Sequence, residues 1–154
     1  MMRLVGHVVV LARVLVSVTL FAAGVGKLLG PSHTVRSWAP LAGLAEPLTT
    51  ALVCGVAVAE IVTAGGLIAR RGILPPIAAV GLSAAFFIVT LLRGLGVLHV
   101  ASCGCFGVLH IELTMTQEIV RDALLLASSA LILVDETERT RLEHGTASAP
   151  VRPS

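Results

Sequence analysis

The chain has 154 residues, of which 56% are hydrophobic and 13% charged, with a formal net charge of +2 and a mean hydropathy of +0.96. A water-soluble domain of this length keeps far more polar surface, so the expected object is one domain dissolved in a bilayer. No basic stripe with interleaved aromatics occurs, which argues against nucleic acid and leaves membrane lipid as the surrounding.

Four apolar segments follow in order. The first spans about 4–29 and is broken by His7, Arg13 and Lys27. It exceeds the ~7–15 residues of a signal-peptide core, so an uncleaved helix is expected. A linker punctuated by Pro31, Pro40 and Pro47 carries Trp38, the one strong interfacial anchor in a chain without Tyr. The second segment, about 48–68, contains Cys54 and Glu60. The third, about 73–92, has no charge and begins with Pro75 and Pro76, where proline is tolerated. The fourth, about 116–134, carries Arg121 and Asp122 near its start. A helix needs about 20 apolar residues to cross the hydrocarbon core. None of the segments alternates with period two, so strands are not expected. The reading is an all-α integral membrane four-helix bundle over residues 1–134. Residues 135–154, polar and rich in small residues, read as a tail that cannot order itself beyond a short helical extension.

Basic residues orient the spans. Arg3, Arg70, Arg71, Arg139, Arg141 and Arg152 fall on one side; Lys27, Arg36, Arg93 and Arg121 fall on the other. The first side should be cytoplasmic, with both termini inside. Arg13 and Glu60 each lie about eight residues, or roughly 12 Å, from the cytoplasmic ends of their segments. An unpaired charge there costs at least ~2.5–3.5 kcal/mol. Equal depth on antiparallel neighbours predicts an Arg13–Glu60 contact, either to fix register or to serve a proton or quinone relay. Lys27 and Arg121 lie nearer the surface and are expected to snorkel. Gly24-Val25-Gly26-Lys27 lacks the remainder of a phosphate loop; Gly26 and Gly30 suit close helix packing.

The chemical island is Cys103-Gly104-Cys105-Phe106-Gly107, between the third and fourth segments. By the orientation above it faces outside, where disulfides are permitted. Two thiols one residue apart close only a tight ring. Gly104 supplies the needed dihedral freedom, and strain raises the reduction potential. Such a pair suits redox exchange better than bracing, with Phe106 and Gly107 turning the chain back to the surface. Three rivals stay open. His99, Cys103, Cys105 and His110 could ligate zinc or copper, though the spacing is not a standard zinc pattern. Both cysteines could be inert, or each could pair with another protein. Cys54 reads as a small buried hydrophobe, with a resolving thiol as the alternative.

The chain resembles the methylamine utilisation protein MauE family, within the broader DoxX-like membrane proteins. The residues that carry the likeness are Arg13, Ala23-Gly24-Val25-Gly26-Lys27-Leu28, Glu60, Arg93-Gly94, Cys103-Gly104-Cys105-Phe106-Gly107 and Arg121-Asp122. The resemblance implies a multi-pass protein of the bacterial inner membrane. It further implies a role in disulfide formation or thiol redox of extracytoplasmic proteins, beside a thioredoxin-like partner. In the name-giving members the client is a subunit of methylamine dehydrogenase. Cys103 and Cys105 are then the reactive pair, with Gly104, Phe106, Gly107 and Lys27 in support. A quinone near Arg13 and Glu60 is the conceivable electron acceptor, and no cofactor is required by the sequence. Whether the chain turns over as a thiol–disulfide oxidoreductase or assists as an accessory subunit stays open. The competing readings are a non-catalytic membrane scaffold for a redox enzyme and a Cys/His metal-handling protein.

Overall fold

The structure, a computed structural model, describes residues 2–30, 32, 34–35, 46–70, 72–98 and 114–147. A backbone in lipid must satisfy its own hydrogen bonds, and a helix does so within one segment. Four helices form: α1 (Met2–Leu29), α2 (Glu46–Ala69), α3 (Leu74–Gly94) and α4 (Met115–Ala147). No strand occurs among the described residues. Gly6–Leu29, Glu46–Ala69 and Leu74–Gly94 are long and apolar enough to cross a membrane, with mean hydropathies of 2.4, 2.1 and 2.0. The protein is an all-α membrane helical bundle.

The main packing runs in a ring: α1 on α2, α2 on α3, α3 on α4, and α4 back on α1. Neighbours are antiparallel, because Lys27 meets Glu60 near one end while Arg13 meets Leu67 and Glu136 near the other. The ends of α1 and α3 and the starts of α2 and α4 therefore gather at one end of the bundle. The interior holds Val16, Val53, Leu67 and Ile132 among Ala57, Ala64, Ala79, Ser17, Thr63, Ser83 and Ser129. The large apolar side chains Leu11, Val18, Phe21, Leu52, Val62, Ile88 and Leu124 point outward. In water this distribution would be inverted. In lipid it is ordinary, since helices there associate through small residues and interhelical hydrogen bonds such as Ser83 Oγ to Ser129 Oγ at 3.2 Å.

Register between α1 and α2 is set at Gly24. A Cβ there would lie 2.7 Å from the Ala57 carbonyl oxygen and 2.8 Å from Ile61 Cγ1, so only glycine allows the approach. Glu60 Cβ is 3.3 Å from the same point, which puts Glu60 level with Gly24.

Local chemistry explains the helix ends. Pro75 and Pro76 open α3, as the sequence suggests. Gly96, at φ 72°, ends it, with its N–H donating to the Arg93 carbonyl at 3.0 Å. At the start of α4, Thr114 and Gln117 form a reciprocal cap. The Thr114 N–H donates to Gln117 Oε1 at 2.9 Å and the Gln117 N–H to Thr114 Oγ1 at 3.4 Å. The last helix outruns its expected end near 134 and continues to Ala147. The helical extension expected past 134 therefore takes in residues 135–147. Helix-favouring Glu, Arg and Leu continue the turn, Arg139 pairs with Asp135 one turn back at 3.0 Å, and Glu136 is tied to α1.

Candidate functional site

Six charged side chains lie in the half of the bundle where α3 ends and α4 begins. They form three acid–base pairs. Lys27 and Glu60 form the deepest, with both side chains 0% exposed. Lys27 Nζ donates to Glu60 Oε1 at 2.6 Å and to Oε2 at 2.9 Å. The ammonium also lies 5.0 Å from the centroid of the Phe86 ring, a cation–π distance. Gly24 makes this pair possible, because it lets α2 approach closely one turn below Lys27.

Asp122 on α4 anchors the second pair. Its Oδ2 accepts from Thr90 Oγ1 on α3 at 2.7 Å. Its Oδ1 accepts from Arg121 Nε at 2.8 Å and lies 2.7 Å from Arg121 Nη2. The third pair joins Arg93 Nη1, in the last turn of α3, to Glu118 Oε2, in the first turn of α4. Acid at a helix start and base at a helix end also complement the helix dipoles. Each pair is formally neutral, so the cluster has no net charge. A small, partly open pocket of about 20 Å³ lies beside it, walled by residues including Ala23, Phe86, Arg121 and Asp122.

The expected Arg13–Glu60 contact does not form. Arg13 Nη2 instead donates to Glu136 Oε2 at 2.8 Å, and Nη1 donates to the Leu67 carbonyl at 3.2 Å. Counting depth from segment ends assumes flush helices. The Gly24 register instead places Glu60 about 11 residues, or roughly 16 Å, along α1 from Arg13. Lys27 does not snorkel: it is fully buried, drawn inward by Glu60. Nor does Arg121 extend freely to the surface, since its side chain is 19% exposed and tied to Asp122.

Phe86, Thr90, Glu118 and Glu136 were not legible as site residues, and Arg93 and Asp122 were named for chain orientation, span position and the family likeness but not as site residues. Glu118 and Asp122 stand one turn apart at the start of α4, with Arg93 at the close of α3. That complementary spacing is a signal that finds them. Cys54 is a half-buried free thiol on α2. Cys103, Gly104, Cys105, Phe106, Gly107, His99, His110 and Trp38 lie outside the described residues. Among the described residues, no three His, Cys, Asp or Glu side chains gather to hold a metal.

A model of the methylamine utilisation protein MauE family matches residues 5–135. The chain belongs to the MauE family. This MauE-family chain is thus a membrane protein of a family associated with methylamine utilisation. The matched stretch takes in all three ion pairs and Cys103-Gly104-Cys105-Phe106-Gly107, and stops one residue before Glu136. No curated protein and no solved structure shows significant similarity to the chain.

Proposed function

We propose that this MauE-family protein is the membrane component of an extracytoplasmic thiol–disulfide system. Cys103 and Cys105 are its exchanging pair, and a thioredoxin-like protein is its partner. The observation that carries the reading is the clamp at both roots of the connection bearing the two cysteines. That connection leaves α3 after Gly94 and enters α4 at Met115. Arg93–Glu118 and Thr90–Asp122 join the two roots to each other, inside the last turns of α3 and the first turns of α4. A reactive loop set on a rigid base is a recurrent way to present chemistry.

In the exchange, a partner thiolate attacks one sulfur of the Cys103–Cys105 disulfide. A mixed disulfide forms and the other cysteine leaves as thiolate. The partner's second thiolate then attacks the mixed disulfide, which releases the first cysteine. Two electrons have passed from the partner's dithiol to the Cys103–Cys105 disulfide. The reading takes the end that carries Arg70, Arg71, Arg139 and Arg141 as cytoplasmic, by the excess of basic residues there, and Cys103 and Cys105 as facing the oxidising side.

Trapping tests the reading. A thioredoxin-fold partner whose second, resolving cysteine is replaced by serine should accumulate a reducible mixed disulfide with Cys103 or Cys105 in membranes. If Cys103→Ser with Cys105→Ser leaves partner maturation intact, the protein is a scaffold and the redox reading fails.

A further inference from the structure

We propose that the bundle works as a pair of jaws. The hairpins α1/α2 and α3/α4 open and close against each other at the end where α3 hands over to α4, and pivot at the opposite end. The motion stands independently of the thiol–disulfide reading.

The contacts sort by hairpin. Near the end where α3 hands over to α4, strong polar contacts lie within each hairpin. Lys27 with Glu60 joins α1 to α2. Arg93 with Glu118, and Thr90 with Asp122, join α3 to α4. Ser83 with Ser129 continues that seam towards the middle of the bundle. In the opposite half, contacts tie one hairpin to the other. Arg13 of α1 holds Glu136 of α4 at 2.8 Å. Ala12 and Val16 of α1, Ala64 and Leu67 of α2, Ala79 of α3 and Ile132 of α4 belong to one buried apolar cluster. Gly66 of α2 lies against the Pro75 ring of α3, where a Cβ would fall 2.6 Å from Pro75 Cγ. A short turn completes the joint, with Arg70 at φ 49° and Gly72 at φ 69°. The left-handed region is costly for an arginine, so the packing around the turn holds it there.

The packing defects fall where such a motion needs them. Protein interiors are close-packed. Along the α1–α4 seam the packing gives way to a groove of about 460 Å³, lined by Leu15 and Thr19 of α1 and by α4 side chains from Thr116 to Ser128. The small pocket beside it is walled by Leu20 and Ala23 of α1, Phe86 of α3, and Asp122 and Leu125 of α4, so it too lies between the hairpins. A soft contact crosses there, the Lys27 ammonium 5.0 Å from the centroid of the Phe86 ring. It is weaker than the charge-assisted hydrogen bonds that hold each hairpin together.

Opening parts Lys27 from Phe86, and α1 from the first turns of α4, while the ion pairs inside each hairpin stay whole. It uncovers the side of the Lys27–Glu60 pair that Phe86 shields. Both roots of the connection that bears Cys103 and Cys105 belong to α3 and α4. They travel together with one jaw, and Lys27 and Glu60 with the other.

The test measures distances between spin labels on the full chain in nanodiscs by pulsed electron paramagnetic resonance. Cys54→Ala, Cys103→Ser and Cys105→Ser clear the chain of other thiols. One pair of labels, at Leu52→Cys and Val120→Cys, spans the jaws. A second, at Ile68→Cys and Val134→Cys, spans the pivot. All four side chains are exposed and outside the core. The first pair should show a second, longer distance, and Phe86→Leu should raise its share about threefold or more. The second pair should keep one narrow distance with and without Phe86→Leu, which also shows that the variant is folded. A single distance at the first pair in both chains overturns the proposal. So does a longer component that Phe86→Leu leaves unchanged, or an equal spread at both pairs, because a loose bundle is not a hinged one.

Discussion

The two ends of the bundle are braced in different ways. At the end where α3 hands over to α4, three neutral ion pairs involve all four helices, with one pair wholly buried. At the opposite end, Arg13 joins α1 to α4 through Glu136 and to α2 through the Leu67 carbonyl. The family match encloses the first arrangement and stops short of Glu136. The difference separates a base beneath the cysteine connection, built within the matched stretch, from a second clamp that depends on the helical extension past residue 135.

The comparison breaks most sharply at Glu60. Glu60→Ala leaves the Lys27 ammonium buried without its carboxylate, a change that costs about 3–5 kcal/mol in buried pairs. Replacing both partners, Lys27→Met with Glu60→Leu, should recover most of that loss. Equilibrium unfolding in mixed micelles checks both. A single variant as stable as the natural chain would remove the pair from the account.

Next comes Gly24→Ala. The added methyl would fall 2.7 Å from the Ala57 oxygen, and overpacking of this kind costs about 1–3 kcal/mol. Because the same contact sets the Lys27–Glu60 register, its loss should not add to that of Glu60→Ala in a double-mutant cycle. Full additivity would contradict the shared origin. At the other end, Glu136→Ala leaves the buried Arg13 only its bond to the Leu67 carbonyl, so the loss should be about 1.5–3 kcal/mol by thermal unfolding. Thiol exchange at Cys103 and Cys105 should be unchanged by it, whereas Arg93→Ala should slow exchange by loosening the roots of their connection.

The helical class was legible because four continuous apolar runs admit no other backbone solution in lipid. The start of α3 fell within a residue of expectation, since Pro75–Pro76 mark it locally, and the start of α4 did so from the apolar run alone, with the Thr114 cap seen only in the structure. Pairing across helices was not legible. Arg13 and Glu60 look matched when depth is counted from segment ends, but one glycine sets how the helices slide past each other. Lys27 looked superficial for the same reason. The length of the α4 extension, to Ala147, was hidden because a polar composition argues against a buried core, whereas a helix tied at Glu136 and by i,i+4 pairing needs little core. The cysteine motif reads as redox chemistry from sequence alone and lies outside the described residues; what the structure adds is the joining of the helices that flank it, through Arg93, Glu118, Thr90 and Asp122.

The central claim is that Cys103 and Cys105 act as one redox couple on the outer face. It is tested most directly by labelling intact spheroplasts with a membrane-impermeant maleimide across a series of fixed redox potentials. The account predicts that both cysteines lose reactivity together, as a single two-electron transition, with Cys54 taking no part. Thiols that stay reduced at every potential, or that label only after the membrane is opened, would contradict it.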